Sequence, residues 1–207
     1  MPAPNVGNQQ PIYLKSTDPV LLSVSMASPT SILANAASSG KAIKVNGIRF
    51  AANDDASVNH KGGLLLKKNG GAAGLIGFHI IAARSAQLMI AKNEVIYLEE
   101  NDELLGFNPS GSTSTVTISN ASPGVISWTA HALVANRTVV FTTTGGLPTG
   151  LVVGTPYYVK DVLTANTFTV SATPGGAAIN TSSTGSGTHT ATASGLVGFV
   201  SSYEVIG

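Results

Sequence analysis

The chain has 207 residues, of which 43% are hydrophobic and 10% charged, with no Cys and a formal net charge of +1. No disulfide framework can form without Cys, and a near-normal apolar fraction with almost no net charge argues against disorder. With 11 basic residues against 10 acids, no basic surface for nucleic acid is expected.

The N-terminal stretch Met1–Gln10 is polar and Pro-containing, without the basic and apolar regions of a secretory leader. From Val20 to Met26, apolar residues fall at 20, 22, 24 and 26, the period-two pattern of a strand with one buried face. Ser28–Ala37 could begin a helix, with Pro29 at its first position, but a strand around Ser31–Leu33 is preferred. Ala42–Phe50 alternates, with Ile43, Val45 and Gly47 opposing Lys44, Asn46 and Ile48. Leu64–Leu66, Leu75–Ile81, Leu88–Ala91 and Val95–Leu98 are short apolar runs separated by turn signals such as Asn69–Gly71. The most apolar stretch, Gly74–Ala91, is interrupted by His79, Arg84, Ser85 and Gln87. A membrane span needs about 20 mostly apolar residues, so this stretch is read as buried strands. Short strands at such spacing imply a sandwich or barrel.

Composition changes near residue 110. From Gly111 to Ala193 only Arg137, Lys160 and Asp161 are charged, and Thr is abundant. Six more strands are expected there: Thr113–Ser119, Val125–Trp128, Thr138–Phe141, Pro156–Lys160, Thr167–Ser171 and Thr188–Thr192. β-branched Thr and Val suit a pleated, half-buried surface. The tail, Gly195–Gly207, reads as one long strand whose chemistry matches the first part of the chain. The expected organisation is therefore an arm at 1–15, a base sandwich at 16–110 plus 194–207, and an inserted domain at 111–193. Insertion is tolerated where the ends of the inserted unit lie close together.

Motifs for chemistry are weak. His60, His79, His131 and His189 are too far apart in sequence to suggest a metal site, and no metal, cofactor or catalytic residue is expected. Gly40-Lys41 echoes a phosphate loop, but Asn35 and Ala42 stand where that motif needs Gly and Ser or Thr. The acidic run Glu99–Glu103 lacks the spacing of a calcium loop and reads as a solvated turn. Trp128 reads as core. Adjacent Tyr157 and Tyr158 must face opposite sides of a strand. These two and His131 are the candidates for an outward contact. Pro11, Ile12 and Tyr13, closing the N-terminal arm, are the candidates for docking on a neighbour.

Two sets of segments carry a resemblance. Val20–Val24, Leu33–Asn35, Ser39–Asn46, Tyr97–Leu104 and the closing Ser202–Ile206 resemble small β-sandwich virion proteins of tailed bacteriophages, with Asn101 in place of a Gly and Val205 in place of a Glu. Ser127–Leu133, Val139–Leu151, Gly154–Val159, Asn166–Phe168, Pro174–Asn180 and Gly187–Thr190 resemble a module of phage tail, fibre and decoration proteins. The resemblance implies an all-β chain: a jelly-roll-like β-sandwich carrying a second small β-sandwich or barrel. It implies a non-enzymatic virion protein, made in the cytoplasm of a bacterial host, most of all a capsid decoration or cement protein. The implied partners are the major capsid protein or other virion proteins and further copies of the chain, as a trimer. The alternative is a collar, tail or fibre protein whose inserted domain contacts the host surface, with a host glycan as partner. Neither nucleic acid nor membrane is an expected partner.

Overall fold

Alternating apolar residues and frequent Gly-containing turns give an all-β chain, which a computed structural model describes over residues 14–54, 57–91 and 93–206. Its strands form two open sheets and one closed six-stranded barrel. The first sheet runs β1 (Leu14–Lys15), β16 (Leu196–Ile206), β4 (Ala42–Ala52), β7 (Ala86–Ile90). In it, β2 (Val20–Leu21) also pairs with β16, and β8 (Ile96–Leu98) also pairs with β4. The second sheet runs β3 (Thr30–Ala34), β9 (Glu103–Phe107), β5 (His60–Lys67), β6 (Ala73–Ile81). The barrel runs β10 (Ser112–Ile118), β11 (Ile126–Ser127), β14 (Thr167–Ser171), β13 (Pro156–Thr164), β12 (Thr138–Thr143), β15 (His189–Ala193), and closes on β10.

The two open sheets share one core. Ile43, Val45, Ile48 and Phe50 of β4 meet Ile32, Leu64, Ile81 and Leu104 of the other sheet, with Leu22, Leu196 and Val200 completing the layer. The barrel has its own core, in which Val139, Phe141, Tyr157, Val159, Phe168 and Val170 surround Trp128. Phe50, Phe141 and Phe168 are fully buried, each contributing about 1.5–3 kcal/mol by leaving water. Every barrel strand lies between β9 and β16 in sequence, and β10 pairs with β15 from Ser112↔Ala193 onward. The chain therefore leaves the sheets and returns to them at adjacent points.

Strand β16 is central, flanked by β4 on one side and by β1 and β2 on the other. Its pairing with β4 runs from Leu196↔Ala52 to Ile206↔Ala42 and contains an irregularity that corrects the expected alternation. Val200 pairs with Ile48 and Ser202 with Gly47, leaving Ser201 over. Tyr203 then pairs with Val45, leaving Asn46 over. An extra residue in a strand switches which face its side chains take. Inward residues on β4 thus change from Ile43 and Val45 to Ile48 and Phe50, and Ile48 joins the core instead of opposing it.

Two other expectations are corrected. The Val20–Met26 strand ends early: only Val20–Leu21 is strand, Leu22 is buried, and Met26 is 50% exposed. Short hydroxyl side chains compete for the backbone there, with Ser23 Oγ accepting from the Ser25 amide and Ser25 Oγ from the Ala27 amide, each at 3.2 Å. Gly74–Ala91 is largely exposed rather than buried. Strand β6 sits at the edge of its sheet, paired only with β5, and only its last residue, Ile81, reaches the core.

Candidate functional site

The most unusual chemistry lies where the chain passes between sheets and barrel. Asp54, His60 and Asn108 come from the sheet side, Arg137 from the loop before β12, and Ser194 from the return to β16; all five are buried. Asp54 Oδ1 lies 3.2 Å from His60 Nε2, and Asn108 Nδ2 lies 3.5 Å from His60 Nδ1. Asn108 can only donate through that nitrogen, which suits a His60 that accepts at Nδ1 and donates from Nε2 to Asp54, with Arg137 NH1 3.3 Å and 3.4 Å from the two ring nitrogens. Asn108 Nδ2 also donates to the Ser194 carbonyl at 2.7 Å, and Ser194 Oγ donates to the Leu22 carbonyl at 2.7 Å. One amide thus ties the outgoing chain to the returning chain.

Arg137 closes the cluster from the barrel. Its NH1 lies 3.6 Å from Asp54 Oδ2 and 3.3 Å from His60 Nδ1, and its NH2 donates to the Ser110 carbonyl at 3.1 Å. Burial lowers the Arg137 pKa and the Asp54 carboxylate opposes that shift. Asp54 Oδ2 has no hydrogen-bond donor within reach among the described residues, and the Arg137 charge compensates it. Beside this pair Thr138 Oγ1 donates to Asn53 Oδ1 at 2.9 Å, a second link from barrel to sheets. Gly195 makes the arrangement possible. Its φ is +72°, and a Cβ there would stand 1.9 Å from Asp54 Oδ2. Only Gly combines that dihedral with that approach.

The cluster can hold two units in a fixed relation. Its Asp–His pair is enclosed, with His60 0% exposed, and the nearby Ser194 hydroxyl is committed to Leu22. A cleft of about 380 Å³ opens on the outer side of Arg137, between Val58–Asn59 and Ala130–Val134. Sequence reading missed this cluster, because its members are scattered over 140 positions and only the fold assembles them. One signal existed: Arg137 is one of three charged residues between Gly111 and Ala193.

The residues singled out from sequence fall elsewhere. His131 is not outward: it is buried, its Nδ1 accepts from the Leu133 amide at 2.9 Å, and its Nε2 faces the Thr164 carbonyl at 3.1 Å. Its ring meets Phe168 edge-on at 5.1 Å between centroids. Tyr157 is also interior, with its hydroxyl accepting from the Val152 amide at 2.8 Å. Tyr158 is half-exposed on the opposite face, as alternation requires. Trp128 packs 6.4 Å from Phe168 in the barrel core. Pro11, Ile12 and Tyr13 lie outside the described residues. Leu14 and Lys15, which follow them, pair with Glu204 and Tyr203 of β16.

The acidic turn also departs from expectation. Asp102 is not solvated but 1% exposed, and it organises the turn. Its Oδ1 accepts from the Asn69 amide at 2.8 Å, and its Oδ2 from the Glu99 amide at 2.8 Å and from the Lys68 ammonium. Burial pushes this carboxyl up, but Lys68 and the two backbone amides together outweigh it and hold the pKa below the usual aspartate range. The turn before β4 that echoed a phosphate loop is closed by Asn35, whose Nδ2 donates to the Lys41 carbonyl at 2.8 Å and the Leu98 carbonyl at 3.1 Å. No group of metal-ligating residues occurs among the described residues. Comparison with protein-family models, curated proteins and solved structures gives no match.

Proposed function

We propose that this chain is a structural virion protein of a tailed bacteriophage, a capsid decoration or cement protein. In this reading the two open sheets are a jelly-roll-like base that meets the shell, helped by the arm at residues 1–15. The barrel is an inserted domain projecting outward. The observation carrying the reading is the junction: the barrel is confined to 112–193, its ends pair at Ser112↔Ala193, and the buried Asp54–Arg137 pair fixes it to the base. That is the build of a rigid projection rather than of a hinged cleft around a reacting group. The residue resemblances supply the virion context, and the same reading gives the protein no catalytic role and no cofactor.

Purified virions, analysed by mass spectrometry for copies relative to the major capsid protein, test this directly. A ratio near that of a lattice component is expected. Absence from virions would defeat the reading. A ratio of a few copies per particle would favour the second one, a collar, tail or fibre protein whose barrel contacts the host surface. The observation favouring that second reading is the barrel's exposed Val152, Val153, Val162 and Leu163, with Val152 63% exposed.

A further inference from the structure

The sheet β3–β9–β5–β6 carries apolar clusters on both faces, the outer one flanked by Lys61, Lys67 and Glu103. Its inner face packs on the shared core through Ile32, Leu64, Ile81 and Leu104. Its outer face carries a second cluster of Leu65, Leu105 and Phe107, with Phe78 of β6 alongside at 6.3 Å from the Phe107 ring. An antiparallel sheet with one core ordinarily turns a polar face outward. Here the apolar surface continues to the edge: Leu75 is 49% exposed, Ile76 41%, Phe78 47% and Ile80 64%.

The same strand leaves its outer backbone edge without a strand partner among the described residues. Natural edge strands are usually blunted by Lys, Pro, inward charges or short length. β6 is nine residues long and carries no Lys, Arg, Asp, Glu or Pro. Its one irregularity, at Ile76 between the Leu64↔Gly77 and Leu65↔Leu75 pairs, leaves Gly77–Ile81 as a regular extended run.

We propose that β6 is a self-association edge: two copies of this chain pair their β6 strands antiparallel along Gly77–Ile81. Three features select a second copy over a different partner. The strand carries no Lys, Arg, Asp or Glu, so apart from His79, which the two-fold axis sets against its own copy, two copies bring no like charges together in the paired strands. Antiparallel pairing of the regular run about a two-fold axis sets Phe78 of each copy opposite Ile80 of the other. That is an aromatic–β-branched pair of the kind that stabilises sheets. Finally, the area suits a weak contact between like copies rather than a stable one. Four side chains about half exposed offer roughly 400 Å² of apolar surface per copy. Two copies bury on the order of 800 Å² before the backbone edges are added, close to the approximately 1,000 Å² that a specific interface needs. The pairing is therefore reversible and concentration-dependent. It goes beyond the virion reading and does not depend on it.

The test uses the full chain. Molar mass is measured by light scattering over a concentration series, together with amide hydrogen exchange of residues 73–81. The expected result is a dimer that forms with rising concentration while exchange in β6 slows in step. Ile80→Lys, at an exposed position, is expected to raise the dissociation constant on the order of tenfold or more by setting a charge against Phe78. Ile80→Thr serves as a milder second variant, and Val162→Lys on the barrel leaves the dimer intact. Trp128 fluorescence and circular dichroism confirm that each variant is folded. A chain that stays monomeric throughout, an assembly that survives Ile80→Lys, or a trimer whose β6 amides exchange freely would each overturn the proposal. So would a β6 that becomes protected only when capsid shells are added, because the occupant would then be the shell.

Discussion

Replacing Arg137 with Met tests whether the junction holds barrel and sheets together. Met keeps most of the apolar stem and removes the charge. At 3.6 Å from Asp54 Oδ2, the guanidinium contributes about 4–5 kcal/mol of attraction at an effective dielectric of about 20. Much of that offsets the cost of burying both groups, so the pair adds little net stability. Removing one partner is different, because the other charge stays buried, which typically costs about 3–5 kcal/mol. Among the described residues Asp54 then keeps only His60 as a partner, and the Ser110 carbonyl loses the Arg137 donor. The expected loss corresponds to a fall in Tm of roughly 10 °C for a chain of this size. Urea unfolding followed by Trp128 fluorescence reports the barrel, while far-UV circular dichroism reports the whole chain. Asp54→Asn in the Arg137→Met background is expected to recover part of the loss, because it removes the orphaned charge and keeps an acceptor for His60. The reasoning fails if Arg137→Met costs under about 1 kcal/mol. It also fails if the double variant loses as much as the two single variants added together.

Gly195→Ala is expected to unfold the junction or cost about 3 kcal/mol or more, because φ is +72° and the new Cβ would strike the Asp54 carboxylate; thermal melting measures it, and a Tm within a degree of wild type would contradict the geometry. Asp102→Asn replaces one acceptor with an NH₂ group that must face a backbone N–H, at a cost of about 1–3 kcal/mol near neutral pH. The Asp102 pKa is lowered by folding, so its contribution is fully present above the unfolded value near 3.9 and is lost as pH falls through the folded value. Urea titrations from pH 7 down to pH 2 are thus expected to show the two proteins converging in acid; a constant gap would refute the assignment. Replacing 112–193 by a short linker is expected to leave both open sheets folded, since Ser112 and Ala193 are paired neighbours; loss of the β-sheet circular dichroism signal would show that the sheets need the barrel.

Local pattern carried much of the fold into the sequence. The strands of the Thr-rich stretch were legible because Phe168 and Val170 alternate with Thr167, Thr169 and Ser171, Val139 and Phe141 lie two apart within a β-branched run, and a closed barrel has one interior to alternate toward. Long-range consequences were not legible. The change of phase on β4 depends on Ser201 and Asn46 being left over together, a property of residues 155 positions apart in sequence. Burial of Asp102, His131 and Tyr157 depends on partners supplied by the fold. The run Leu75–Ile81 was misread for a related reason. Apolar composition shows that a strand seeks a dry neighbour, but not whether that neighbour belongs to the same chain.

The distribution of polarity follows from this division. Charges that hold the chain together are buried at the junction, where Arg137 and Asp54 can be compensated only in one relative placement of barrel and sheets. Displacing that pair weakens the compensation of Asp54 Oδ2, which has no hydrogen-bond partner among the described residues. The pair is accordingly expected to specify orientation more strongly than stability. The apolar surface without a strand partner among the described residues lies on the opposite principle, along an edge with no Lys, Arg, Asp or Glu to restrict what pairs with it. Under the proposed self-association, the chain fixes the direction of its barrel internally and leaves its spacing from neighbours to a weak, repeatable edge contact. Weak contacts of that kind become effective when copies are held close on a common surface, because each further contact then forms at high effective concentration. Full-length protein tethered at high density is accordingly expected to show β6 protected from exchange at bulk concentrations where the free chain is monomeric. Equal exchange in the two states would separate the edge from any role in assembly.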